Sequence, residues 1–335
     1  MAQSNSPRHR PDRSHATAGA PKSATPPRPA DASRRSVRVI EWLASRLPPR
    51  RREKALDYLV LTRMDRPIGA LLLLWPTWWA LWLAAGGIPP LGTLVIFTVG
   101  VFLMRATGCA MNDFADRHLD PQVARTAGRP IACGRVPPRE ALVVFAVLLL
   151  LAFGLVLLTN AMTIKLAFVG AALATLYPFS KRYTQLPQVV LGATFGWSIP
   201  MAFAAVSQKL PPLAWLLFLG NVLWSTIYDT EYAMVDRDDD IRAGAKSTAI
   251  LFGEDDRMIL GVLMVSLVLT MALVGHRAGL GWPYWLGLLA SSVLFGWQQW
   301  MIRRREPAAC LAAFRQNNWV GLLLWAGMAV ALAMS

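Results

Sequence analysis

Past residue 57 the chain is a series of long apolar runs joined by short polar connections. Runs able to cross about 30 Å of hydrocarbon as helices fall near 67–85, 91–111, 141–158, 162–179, 187–207, 211–228, 257–274, 282–302 and 317–334. The pattern predicts an all-α, polytopic membrane protein, a bundle of nine transmembrane helices. The run 187–207 is the most interrupted, by Pro187, Gln188 and Pro200, and a packed bundle tolerates such kinks.

The connections alternate in charge. One set carries Arg117, Arg125, Arg129, Arg135 and Arg139; then Lys181 and Arg182; then Arg237, Arg242, Lys246 and Arg257; then Arg303, Arg304, Arg305 and Arg315. The other set is nearly bare: AAGGIPP and TNAMT have no charge, SQKLPP only Lys209 and GHRAGLGWP only Arg277. Excess Lys and Arg mark the cytoplasmic loops. The N-terminus and the charged loops are therefore expected in the cytoplasm and the C-terminus across the membrane, which requires an odd number of spans.

Composition agrees: of 335 residues 55% are hydrophobic and 16% charged, with 14 Trp and 13 Met. The mean hydropathy of +0.39 is low for such a protein because the first 57 residues differ from the rest. Up to Lys54 they hold thirteen Lys and Arg against Asp12, Asp31, Glu41 and Glu53, and they include eight prolines. Residues 1–57 are read as a disordered basic tail and 58–335 as the transmembrane domain. Each basic side chain near anionic lipid is worth about 1 kcal/mol, so two readings of the tail stand side by side, a segment lying on membrane lipid and a solubilising extension of no function. No secretory signal is expected, and the prolines argue against the amphipathic helix of a transit peptide. Cys109, Cys133 and Cys310 are too few and scattered for a disulfide framework or a metal cluster.

The acidic residues change the picture from a membrane bundle to a site. Asn112, Asp116 and Asp120 recur every four residues, so on one helix they fall within an arc of about 80°, each about 6 Å above the last; Asp113 is expected to point elsewhere. Tyr232, Asp236 and Asp240 repeat the pattern, with Asp229 about 20° from Asp236 on the same wheel. Asp238 and Asp239 are read as solvated loop charges, and His118 as a surface residue. Carboxylates on faces contiguous with membrane spans are expensive unless they face a polar cavity and hold something. Converging oxygen ligands without a His or Cys cluster suit Mg²⁺, and Mg²⁺ held this way shares its remaining positions with phosphate oxygens. Arg63, Arg66, Arg125, Arg129 and Lys181 supply cations for a diphosphate.

Two segments, NDFADRHLD and DRDDD, resemble the N-D-x-x-D-x-x-x-D and D-x-x-x-D motifs of the intramembrane prenyltransferases of the UbiA superfamily. The likeness extends through RPIGALLLLWPTWWALW, GCAMNDFADRHLD, RTAGRP, YPFSKRYT, LPQVVLGATFGWSIPMAF and YDTEYAMVDRDDDIRAGAKSTAILFG, and spans about residues 56–335. The resemblance implies a nine-helix UbiA-type bundle around a cavity open sideways to lipid, with cytoplasmic cap helices near 118–135 and 235–250. It implies Mg²⁺ on Asn112, Asp116, Asp120, Asp236 and Asp240, diphosphate on Arg63, Arg129 and Lys181, and Asp116, Asp236 and Asp240 as the catalytic carboxylates. The implied reaction is transfer of a polyprenyl group from polyprenyl diphosphate to the carbon ortho to the hydroxyl of 4-hydroxybenzoate, within ubiquinone biosynthesis. The expected location is the bacterial inner membrane, with the mitochondrial inner membrane as the alternative; no nucleic-acid partner is expected. The tryptophans of WPTWWALW are read as the wall that excludes water from the reaction.

Three competitors remain. A family member could use a naphthoate or a haem as acceptor. A CDP-alcohol phosphotransferase also sets aspartates at i, i+4, but its D-x-x-D-G-x-x-A-R element is missing. A cation-coupled transporter would place its carboxylates near the bilayer midplane on broken helices, whereas these lie at one face beside arginines.

Overall fold

The computed structural model describes Arg46 and residues 48–335, and every regular element among them is helical. Most of the predicted tail lies outside the described residues. Its last part does not: Pro49–Leu61 form helix α1, so the tail ends earlier than expected. The reason is visible in the proline spacing. Pro49 sits at the helix start, where its missing N–H is not needed, and the next proline is Pro67. Tertiary bonds anchor α1: Arg135 Nε donates to Asp57 at 2.8 Å, and Tyr58 Oη donates to Glu140 at 2.7 Å.

The long helices follow: α2 (Ile68–Ala85), α3 (Leu91–Ala115), α4 (Pro138–Val156), α5 (Ala161–Leu176), α6 (Pro187–Gly196), α7 (Ser198–Ser207), α8 (Pro212–Ala233), the short α9 (Arg237–Ala243) and α10 (Thr248–Phe252), then α11 (Asp256–Arg277), α12 (Trp282–Met301) and α13 (Pro307–Ala333). Six helical stretches among the described residues are long and apolar enough to cross a membrane. The helices α8, α12 and α13 have the length without the apolarity, because buried polar groups such as Asn221, Glu231, Gln298 and Asn317 interrupt them. The interrupted run 187–207 is two helices broken at Trp197, and each proline falls in a first turn, Pro187 in α6 and Pro200 in α7.

Neighbour contacts close a ring in the order α2, α3, α4, α5, α6 with α7, α8, α11, α12, α13 and back to α2. Its two sides differ. The main core joins α2, α8, α11, α12 and α13, where Trp79, Trp224, Tyr284 and Leu267 are buried. Trp79 and Trp224 lie 5.1 Å apart, and Trp224 Nε1 donates to Asn317, which donates in turn to Glu231. The other side, α3 to α7, surrounds a cavity. Outward faces carry exposed Val143, Val147 and Leu150 on α4, Val262, Val265 and Leu269 on α11, and Leu286, Leu289 and Val293 on α12. That helical spacing of exposed apolar side chains is a lipid-facing surface.

Helices α12 and α13 approach closely at two glycines. A Cβ on Gly287 would lie 2.6 Å from the Leu323 carbonyl oxygen, and one on Gly327 3.0 Å from that of Pro283. Backbone cannot swing aside as a side chain can, so the helices must separate. Gly287→Ala is expected to cost about 1–3 kcal/mol, read as a lower melting temperature of the purified protein. Gly92→Ala, where a Cβ meets nothing within 4 Å, is the control that should leave it unchanged.

The cap helix expected near 118–135 is absent. Between Ala115 and Pro138 the described chain forms turns and one 3₁₀ turn, Asp120–Gln122; Pro121, Gly128, Pro130 and Gly134, the last with φ +75°, break any longer helix. The second loop carries α9 and α10.

Candidate active site

A cavity of about 810 Å³ opens among α1 to α8 and the start of α13, and all eight predicted site residues line it. They do so without the continuous helices that the spacing predicted. Helix α3 ends at Ala115 and Asp116 caps it, after which a turn delivers Asp120. Likewise α8 ends at Ala233, and Asp236 sits in the turn ahead of α9. Backbone bonds from Asp116 N to Asn112 O and from Asp120 N to Asp116 O, each 2.8 Å, keep four-residue steps through the turn. The wheel geometry survives locally although the helix does not.

Each carboxylate of the first group has a cation. Lys181 Nζ donates to Asp116 Oδ2 at 2.9 Å, where Asn112 Nδ2 also donates at 3.2 Å. Arg129 Nη1 bridges Asp120 at 2.9 Å and Asp113 at 3.1 Å, and Arg63 Nη2 donates to the same Asp113 oxygen at 2.8 Å. Asp113 therefore does not point elsewhere: it is buried, lines the cavity and holds both guanidiniums. In the second group Arg125 Nε donates to Asp236 at 2.9 Å and its guanidinium also meets Tyr232. Asp239, read as solvated, accepts from Ala124 N at 3.0 Å and so ties the two acidic loops together. Asp238 and His118 are exposed, as expected.

Electrostatics mark what is left over. Burial pushes the Asp240 carboxyl up to about 6 against the pull of Lys181, with Asp236 and Asp116 adding to the rise. Burial also raises Asp120, opposed by Arg129. Against its own burial, Asp113 and Asp120 hold Arg129 above the ordinary guanidinium range. Asp240 has no ion pair among the described residues, and Asp113 Oδ2 is buried without a hydrogen-bond partner. The donors are hard oxygens, and two stand short of partners, so the set suits a small divalent cation by chemistry. As the side chains stand, no group of three His, Cys, Asp or Glu among the described residues is arranged around one point, because lysine and arginines occupy the carboxylates.

Away from the acids the cavity wall turns apolar: Phe97, Val101, Met104, Phe153, Gly170 and Met201. The WPTWWALW tryptophans are not part of it. Trp75, Trp78 and Trp82 pack on Trp325, and Trp79 on Trp224, within the core; Trp197 lines the cavity instead. Two charged side chains lie deeper. Arg105 of α3 lines the cavity with its Nε buried and without a partner, its nearest ring being Phe195 at 5.9 Å. Asp229 of α8 also lines it.

The family model described as the UbiA prenyltransferase family matches residues 73–330. The chain belongs to the UbiA family. A 4-hydroxybenzoate octaprenyltransferase of Xylella fastidiosa (strain M12) is 58% identical over 82% of this chain and 92% of its own. One of Klebsiella pneumoniae is 56% identical over 87% of this chain and 99% of its own. The UbiA fold is shared with the apo structure of a homologue from Aeropyrum pernix K1, at a TM-score of 0.70 and 24% identity over 78% of this chain and 97% of that one. A homologue from Archaeoglobus fulgidus solved with GPP and Mg²⁺ gives 0.63 at 18% identity, over 83% of this chain and 99% of that one.

Arg105 is a charged cavity residue that motif reading missed. Its signal was present: a lone arginine within the apolar run VIFTVGVFLMRATGCA, seven residues before Asn112, which puts it about 20° round the same helix face and two turns deeper. A charge inside a span faces a cavity by default.

Proposed function

We propose that the protein transfers a polyprenyl group from an allylic polyprenyl diphosphate to 4-hydroxybenzoate, ortho to the hydroxyl, and releases diphosphate. The observation that carries this is the division of one cavity into an acidic and basic mouth and an apolar interior, in a chain more than half identical to enzymes named for that reaction. Asn112, Asp116, Asp120, Asp236 and Asp240 would hold Mg²⁺, which when bound neutralises charge on the departing diphosphate. Arg63, Arg129 and Lys181 bind the diphosphate oxygens, so the ion pairs of the free protein open and each cation turns from carboxylate to phosphate. Arg105 receives the acceptor's carboxylate, since it lies two turns deeper than Asn112 on the same helix face and none of the described carboxylates forms an ion pair with it. Phe97, Phe153 and Met201 hold the first isoprene units and keep water from the allylic carbon.

Membranes bearing the protein, given geranyl diphosphate, Mg²⁺ and 4-hydroxybenzoate, should yield the 3-geranyl acid, identified by mass and NMR. Product only from 1,4-dihydroxy-2-naphthoate or a haem would keep the family and refute the acceptor. Isopentenyl diphosphate should be inert, because it cannot ionise to a delocalised cation.

The nine-span topology belongs to this proposal, with α2, α3, α4, α5, α6 with α7, α8, α11, α12 and α13 as spans and the acidic loops in the cytoplasm of a bacterial cell. Alternation of loop charge supports it. Cysteines placed at Gln208 and Arg303 in a background without Cys109, Cys133 and Cys310 should label from opposite sides of the membrane; labelling from one side refutes the count.

A further inference from the structure

Substitution on the ring leaves one proton to remove, and most of the carboxylates assigned above are engaged by cations. Asp116, Asp120 and Asp236 are held by Lys181, Arg129 and Arg125, and a carboxylate bound to metal is a weaker base still. Asp57 and Asp113 are held in the same way by Arg135 and by Arg63 with Arg129, which leaves three cavity carboxylates to compare. Asp65 lies in the linker between α1 and α2, 3.4 Å from Arg66. Asp240 belongs to the acidic mouth, with Asp236 and Asp116 acting on it. Asp229 differs from both. It is on α8, four residues and so about 6 Å inside the helix end at Ala233, away from the mouth, and no ion pair or hydrogen bond engages its side chain among the described residues.

Its surroundings give it a purpose. The cations whose fields bear on Asp229 are, in order, Lys181, Arg105 and Arg125. Lys181 and Arg105 are the groups assigned to the diphosphate and to the acceptor's carboxylate, and Tyr177 and Tyr228 flank the same space. An acceptor seated on Arg105 with its reacting carbon towards the donor lies alongside this carboxylate.

We propose that Asp229 is the general base that takes the ring proton after prenyl transfer, an assignment that rests on the function proposed above. The allylic C–O bond breaks with its electron pair going to diphosphate, and a ring π pair forms the new bond from the ortho carbon to the allylic carbon. The C–H bond at that ortho carbon then gives its pair back to the ring and its proton to Asp229. The acid so formed returns the proton to the diphosphate, which leaves as hydrogen diphosphate, and the carboxylate is restored. The cavity wall shields Asp229 from bulk water.

The test uses full-length protein in membranes with geranyl diphosphate, Mg²⁺ and 4-hydroxybenzoate carrying hydrogen or deuterium at both ortho carbons. In the wild type, proton removal is faster than attack and the two acceptors react at one rate. Asp229→Asn should lower product formation about 10²- to 10⁴-fold, the range for a lost general base. What remains should show a primary deuterium isotope effect and divert geranyl diphosphate to geraniol, and Asp229→Glu should recover part of the rate. If Asp229→Asn does not fold, as judged by melting, Asp229→Ser takes its place. A folded variant with the wild-type rate, or a slow one with neither isotope effect nor geraniol, overturns the assignment. A wild type that makes no prenylated 4-hydroxybenzoate overturns the proposed function instead, and the assignment with it.

Discussion

Asp116→Asn and Asp236→Asn are each expected to lower turnover by about 10²- to 10⁴-fold, the several kcal/mol of charge stabilisation that a bound divalent metal supplies, while the protein should still insert and melt as the wild type does. The split follows from position. Both side chains line a polar cavity and face cations, Lys181 and Arg125, rather than packed apolar neighbours. Asparagine keeps the shape and loses the charge, and the stranded lysine or arginine stands at a solvent-accessible mouth. Raising Mg²⁺ should recover part of the rate in Asp236→Asn. Asp239→Asn is the mild comparison, since an amide oxygen still accepts from Ala124 N. Asp113→Asn is the severe one: it unpairs Arg63 and takes one of the two carboxylates that hold Arg129, so stability falls along with activity. Activity and melting temperature measured across the four variants check the pattern. A wild-type rate in Asp116→Asn at low Mg²⁺ would remove the metal role.

Arg105→Leu is expected to lower kcat/KM for 4-hydroxybenzoate by about 10²- to 10³-fold, because an acceptor carboxylate buried without its partner loses about 3–5 kcal/mol. The methyl ester of the same acid should be used equally well by both proteins. Little folding cost is expected, since Arg105 has no carboxylate partner to strand and contacts Phe195 through its ring face. Equal losses for the acid and the ester would show that Arg105 supports the cavity and does not select the acceptor.

Helix positions were legible because apolar runs of span length have few other uses, and the two acidic segments because carboxylates beside such runs need a reason. The turn geometry was not. Spacing at i, i+4, i+8 is satisfied by an unbroken helix and also by a helix end followed by a turn with the same step, and Pro121 decides for the second. Asp113 was misjudged for a related reason. A wheel gives the direction of a side chain from its own helix and says nothing of Arg63, fifty positions earlier, which reaches it from the end of α1. The tryptophans failed differently: one helix cannot reveal that Trp325 and Trp224, far along the chain, complete the cluster.

The pairing of Asp116, Asp120 and Asp236 with a lysine or arginine bears on the end of the catalytic cycle as much as on its start. Releasing a multiply charged anion from a basic pocket is slow when the cations it leaves have nothing else to bind. Here Lys181, Arg125 and Arg129 have Asp116, Asp236 and Asp120 within reach, so the carboxylates compete with the departing anion for them. On the proposed function the resting protein competes with its own product for these cations, and inorganic diphosphate is expected to inhibit only weakly.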